Sequence, residues 1–212
     1  MPKETSSFDA HVKRLRACRL CAGVQGPPVL GAVAGARVFL MGQAPGPREQ
    51  REGRPFVWTA GTTLFRWFAT IGVDEALFRE RVYMGAVIRC FPGKMANGKG
   101  DRRPAPVEMA ACRPHFAAEL ALLKPELVLA VGRMAIDEFL PAGKLDGVVG
   151  QAFPITRNGH RFSCVPLPHP SGLNRWIQSD AGKALLRQGL GLIARHPAWR
   201  ATFPEARAPD GP

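Results

Sequence analysis

Acidic side chains are scarce in this sequence: 17 Asp and Glu stand against 29 Lys and Arg in 212 residues, a formal charge of +12. An excess of that size on so small a body points to a polyanionic partner, nucleic acid above all, unless it only reflects an Arg- and Ala-rich proteome. Long apolar runs are missing as well. None approaches the roughly 18 residues of a membrane span. Met1-Pro2-Lys3-Glu4-Thr5 lacks the apolar core of a secretory signal, so a cytoplasmic protein with no membrane partner is expected. Cysteines are few and odd in number: Cys18, Cys21, Cys90, Cys112 and Cys164. That count argues against a disulfide framework and turns attention to metal or cluster ligation. The remaining composition, 46% hydrophobic and 22% charged, is that of a folded globular chain. A single domain over residues 1–203 is expected, with a flexible tail at 204–212.

The pattern along the chain alternates strands with helices. After a loose polar start to Ala10, a short basic helix over His11 to Arg16 runs into Cys18 and Cys21, and a Gly- and Pro-rich covering loop follows to Ala34. Arg37 to Met41 reads as a buried strand that ends at Gly42. Residues 43–56 read as a long surface loop. Leu64, Phe65, Phe68 and Ile71 recur at helical spacing over Thr62 to Ile71. Val82 to Ile88 and Leu127 to Val131 read as strands, the second apolar throughout, as in a parallel strand buried on both faces. Pro106 opens one helix, and Pro114 is expected to start another. Asn158-Gly159 predicts a hairpin between 152–156 and 161–167. A closing helix is expected within 173–195. This is one α/β layered domain around a mostly parallel sheet, with ligands at the carboxyl ends of its strands.

Four groups of residues carry chemistry. Gly42-Gln-Ala-Pro-Gly46, Gly53-Arg-Pro-Phe56 and Ala60-Gly61 put small residues after a strand, where backbone amides can be approached closely. Phe56 offers a flat stacking face there, or else is a core side chain. His169-Pro-Ser171, stiffened by Pro166 and Pro168, fixes an imidazole at a strand end. It reads either as a catalytic group or as a structural His with Ser171 capping the next helix. Cys18 and Cys21 form a chelating turn, and Cys90 and Cys112 complete four thiolates that fit zinc or an iron–sulfur cluster. Because the second pair is spread rather than close, the cluster is favoured. Cys164 reads as a core thiol. Lys94, Lys99, Arg102 and Arg103, spaced by Gly93, Gly98 and Gly100, form a basic loop suited to phosphate contacts or a solvated surface.

In this order, the motifs resemble the uracil-DNA glycosylase superfamily, closest to its iron–sulfur branch, family four. The likeness runs from Cys18 to about Trp176. It includes the Gly42 to Gly46 loop, Glu49, Gly53 to Phe56, Ala60-Gly61 and Val82-Tyr83. Cys90-Phe91-Pro92, the Arg102 to Cys112 segment, Val131-Gly132 and His169-Pro170-Ser171 complete it. The resemblance implies a three-layer α/β/α sandwich around a central, mostly parallel four-stranded sheet. It implies hydrolysis of the N-glycosidic bond of deoxyuridine in DNA; a monomer is expected, though nothing in the sequence bears on it. A structural [4Fe-4S] cluster would sit on Cys18, Cys21, Cys90 and Cys112 and fold a segment of about 11–34. Phe56 would stack on uracil, with Gly42, Gln43, Ala44 and Ala86 lining its site. His169 would stabilise the departing base. Ser171, Gly172, Leu173, Asn174 and Arg175 would probe the duplex, Leu173 as an apolar wedge. The chain departs from its relatives where it has Gln43 for Glu, Ala44 for a water-positioning Asp, Ala86 for a base-reading Asn, and Gly46 for a bulky residue. Glu49 is then the first candidate for orienting water, and Gln43 is retained as a polar catalytic-loop residue. Two alternatives follow from the departures: a glycosylase for hypoxanthine or xanthine, or a non-catalytic iron–sulfur module that binds DNA.

Overall fold

The computed structural model describes residues 7–172 and 174–206. Its apolar runs form a sheet in the order β2-β1-β3-β5-β4. The strands are β1 (Val38–Gly42), β2 (Tyr83–Ala86), β3 (Leu127–Val131), β4 (Phe153–Arg157) and β5 (His160–Leu167). β2, β1, β3 and β5 run parallel, and β4 pairs antiparallel to β5. The expectation of four strands is therefore corrected to five. Asn158 and Gly159 both take positive φ, 49° and 75°, and close the expected hairpin. The hairpin's outer arm joins the sheet as an edge strand, where Pro154 is tolerated.

The pleat sends alternate side chains into two cores. Val38, Leu40, Leu127, Leu129 and Val165 pack against α3 (Thr59–Ala69), α4 (Glu75–Arg81), α7 (Asp180–Arg195) and α8 (Pro197–Thr202). Phe39, Met41, Val128, Ala130 and Cys164 pack against α1 (Ser7–Arg16), α5 (Pro106–Leu123) and α6 (Arg133–Asp137). The result is the expected three-layer sandwich, with Cys164 in the core as read. No helix among the described residues is long and apolar enough to cross a membrane.

Several local readings change. Helix α1 begins at Ser7, inside the stretch read as loose. The loop 43–56 contains α2 (Pro47–Glu52), whose third residue, Glu49, accepts a hydrogen bond from the Gly46 amide at 3.1 Å. That return bond is half of a capping box, which a Gly/Pro-rich stretch hides. α4, capped by the Asp74 side chain, was not foreseen. Pro114 does not restart a helix; α5 runs through it. Tertiary contacts on both sides, with Glu108, Cys112, Phe116 and Glu119 all buried, outweigh the lost backbone bond. The closing segment is a short 3-10 turn, Arg175–Gln178, followed by α7, which Ser179 caps. Within the expected tail, Glu205 pairs with Arg81 at 2.7 Å and Ala206 packs against the core; 207–212 lie outside the described residues.

A charged network lies under α5. Arg89 and Glu119 form an ion pair, 1% and 0% exposed, and the Tyr83 hydroxyl donates to Glu119 at 2.6 Å. His11 of α1 stands 3.8 Å from the same carboxylate. Burial opposes ionisation of Glu119, but Arg89, His11 and Tyr83 outweigh it and hold the carboxyl below its ordinary value. Removing one member leaves the other as an unpaired buried charge. Glu119→Ala should therefore cost about 3–5 kcal/mol, read as a lowered urea midpoint, whereas an exposed pair such as Arg37–Glu126 should cost under about 1 kcal/mol.

Candidate active site

Parallel strands deliver their carboxyl ends to one rim, and a cavity of about 310 Å³ opens there. It is lined by Gly42, Gln43, Ala44 and Gly46 after β1, by Gly85 and Ala86 at the end of β2, and by Phe56, Trp58 and His169. The volume suits a small planar ligand. Glu49 lines the same space, and so do Lys94 and Asp101 from the basic loop.

Phe56 is held in this wall by its backbone. Its φ is +52°, a left-handed conformation that non-glycine residues adopt at a cost. Two features hold it there. Arg79 of α4 donates to the carbonyls of Pro55 and Phe56, both at 2.8 Å. Gly61 passes so close that a Cβ there would fall 1.9 Å from the Phe56 oxygen. The ring lies against Gly42, where a Cβ would meet it at 3.1 Å. The glycines of the two motifs are thus explained by the close approach of Phe56. Arg79 was missed by sequence reasoning, because it lies 23 residues from its acceptor and belongs to no motif.

His169 follows β5 and packs on Gly132, whose φ of +86° and contact with the imidazole (3.2 Å from a Cβ position) leave room for no side chain. The Ser171 amide donates to Nδ1 at 3.3 Å, which leaves the proton on Nε2. Asn174 clamps the turn, donating to the His169 carbonyl at 2.9 Å and accepting from the Trp176 amide at 3.2 Å. Ser171 thus caps no helix; its amide orients the imidazole, and Asn174 and Ser179 do the capping. Gly172 and Arg175 are exposed on this loop, while Leu173, read as a wedge, lies outside the described residues.

Burial pushes the His169 imidazole below its ordinary value near 6.5. At neutral pH the cavity therefore holds a neutral Nε2–H donor. The remaining polar groups are less free than the sequence implied. The Gln43 carbonyl accepts from the Ile88 amide at 3.3 Å, and Ala86 presents only a methyl group. Arg102 pairs with Glu108 and donates to the Gly23 carbonyl at 2.6 Å, bracing the basic loop on the N-terminal segment. Lys94 pairs with Asp101 at 2.7 Å. Lys99 and Arg103 remain exposed. Arg48 stacks on the Trp58 indole at the rim.

A second cavity, about 80 Å³, is lined by Cys18, Cys21, Cys90 and Cys112 together with Leu15 and His115. Burial raises the thiols of Cys21, Cys90 and Cys112, and repulsion between neighbouring thiolates adds to it; Cys90 is pushed up to about 12. Among the described residues, no three His, Cys, Asp or Glu side chains converge tightly enough to hold a single metal ion.

The state of His169 can be read directly. Its NMR titration midpoint should fall below 6.5. Because the unfolded chain would bind the proton more readily, the contribution of His169 to stability is present above pH 6.5 and lost as pH falls below it.

Residues 28–190 match the family model of the uracil DNA glycosylase superfamily. The Type-4 uracil-DNA glycosylase of Thermotoga maritima is 30% identical over 175 residues, covering 82% of this chain and 85% of the relative. That of Archaeoglobus fulgidus is 28% identical over 176 residues, covering 79% and 83%. The enzyme of the same name from Pyrobaculum aerophilum is 29% identical over 143 residues, covering 65% and 68%.

Proposed function

The chain belongs to the uracil DNA glycosylase superfamily, and on that footing we propose that it excises uracil from DNA, hydrolysing the N-glycosidic bond of a flipped-out deoxyuridine and leaving an abasic site. The observation that carries the reading is the neutral, half-buried His169 sharing one small cavity with Phe56 and the glycine loop. As the bond to C1′ breaks, negative charge gathers on the uracil. The Nε2–H of His169 donates toward it from a site sheltered from water, where a fixed dipole acts strongly. Phe56 stacks on the base, and the small residues Gly42 and Ala44 let it seat deeply. Lys99, Arg103 and Arg175, all exposed, meet the phosphates.

A second base specificity is supported by Ala86. Its methyl group cannot donate to or accept from a pyrimidine edge, and Gly46 brings no side chain of its own to the cavity. Hypoxanthine and xanthine are therefore tested beside uracil. The discriminating experiment is single-turnover cleavage of labelled oligonucleotides, each carrying one uracil, hypoxanthine, xanthine or thymine, followed by alkali. Cleavage at uracil is expected. His169→Ala should lower the rate by roughly 100-fold or more with DNA affinity retained; a loss of binding alone would remove His169 from the chemistry. DNA binding with no cleavage at any base would leave the non-catalytic module.

Cys18, Cys21, Cys90 and Cys112 are proposed as the ligands of a [4Fe-4S] cluster. The fit rests on the donor set: four thiols, and no carboxylate, line one cavity, as cluster ligation requires. The cluster's contribution is a crosslink: it ties the segment after α1, the end of β2 and α5 into one lobe. Burial raises the Cys90 thiol, and a bound iron's charge would favour its thiolate. The purified protein should be brown, with a broad absorption in the blue. Cys18→Ala should lose iron and acid-labile sulfide and fall in thermal midpoint more than in cleavage rate.

A further inference from the structure

The motif loop carries no acid at the positions where one would orient water, since Gln43 and Ala44 stand there. Among the described residues lining the cavity, two carboxylates remain, Glu49 and Asp101, and they flank Gly46. A Cβ at Gly46 would meet Glu49 Oε2 at 2.8 Å and Asp101 Oδ2 at 3.6 Å. The Glu49 oxygen nearest that position, Oε2, is the one that accepts the Gly46 amide as part of the α2 cap. Asp101 is held differently. It arrives on a two-stranded excursion of the basic loop, where residues 94 and 101 bridge. Arg102 braces the base of that excursion against Glu108 and the Gly23 carbonyl. Lys94 takes Oδ1 at 2.7 Å, and no hydrogen bond among the described residues engages Oδ2. One carboxylate oxygen is thus pinned, and the other faces the notch left by the missing side chain at Gly46.

We propose that Asp101 orients the attacking water in that notch and accepts its proton, an assignment that rests on the glycosylase reading. The C1′–N1 bond breaks with its electron pair leaving on uracil, whose charge His169 meets. A lone pair of the water oxygen forms the new bond to C1′. One water proton passes to Asp101 Oδ2 and then to solvent. Lys94 holds Oδ1 and so fixes which way the carboxylate is turned until that step. The acid absent from the motif loop is in this way supplied from a loop some sixty residues further along.

The test compares the wild type with Asp101→Asn, Asp101→Glu and Glu49→Gln in single-turnover cleavage of uracil-containing DNA. Affinity is measured in parallel for an oligonucleotide carrying 2′-fluoro-deoxyuridine, whose electron-withdrawing substituent resists cleavage. Asp101→Asn should slow the chemical step by roughly 100-fold with unchanged affinity for the fluorinated DNA. Asp101→Glu should recover part of the rate. The assignment is overturned if Asp101→Asn leaves the rate unchanged, or if rate and affinity fall in proportion, as for a residue that only shapes the rim. It is also overturned if Glu49→Gln alone loses the rate. A wild type that cleaves none of the bases removes the glycosylase reading, and Asp101's role with it. That outcome is distinct from an active wild type with an active Asp101→Asn.

Discussion

The ion pair between Arg89 and Glu119 is the interaction on which both sites depend. It is almost free of solvent, and it joins the chain just after β2 to the middle of α5. Arg89 immediately precedes Cys90, and Glu119 lies two helical turns beyond Cys112. The same guanidinium presses on Gly85, where a Cβ would sit 2.9 Å from Nη2, and Gly85 lines the cavity at the strand ends. A buried pair of this kind adds little net stability over an apolar packing, because desolvation offsets the Coulomb attraction. Its value is positional. It fixes the register of the cysteine lobe against the strand that walls the cavity, because any slip would leave a charge unpaired.

Around this frame the cavity is built by close approach rather than by many polar contacts. Three glycines, at 42, 61 and 132, mark the points where a ring or carbonyl touches backbone. Phe56 is kept in a left-handed conformation by two bonds from Arg79, so its ring is set before any ligand arrives. His169 is likewise preset, packed on Gly132 with its Nδ1 engaged by the Ser171 amide. A site arranged in advance has little to reorganise as charge develops, which is where catalysis by fixed dipoles gains its advantage.

Charge is divided by depth. The +12 of the sequence belongs to the exterior, where Lys99, Arg103 and Arg175 stay exposed. Closer in, the cations are paired: Lys94 with Asp101, Arg102 with Glu108, Arg79 with Glu75. In the wall itself the imidazole is neutral. A field of that sign reaches about a Debye length from the surface, while the pairs hold the loops and the helix that build the cavity wall.

The sequence by itself determined what depends on neighbours in the chain. Apolar runs set the parallel strands, Asn158-Gly159 set the hairpin, and stiffening prolines set His169. Glycines near strand ends marked the cavity, and residue type and order marked four of the five cysteines as a group and Cys164 as core. What it did not determine lies in pairs separated by tens of residues. Arg79 on the Phe56 carbonyl, Glu119 on Arg89 and Asp101 beside Gly46 leave no local pattern, because a salt bridge or hydrogen bond depends on distance in space. Pro114 was misread for the same reason: burial on both sides of α5 overrode a strong local breaker. The outer hairpin arm was legible as a strand, but its place at the sheet edge was not. Local backbone preferences are written residue by residue; which side chains share a cavity is decided only when the layers close.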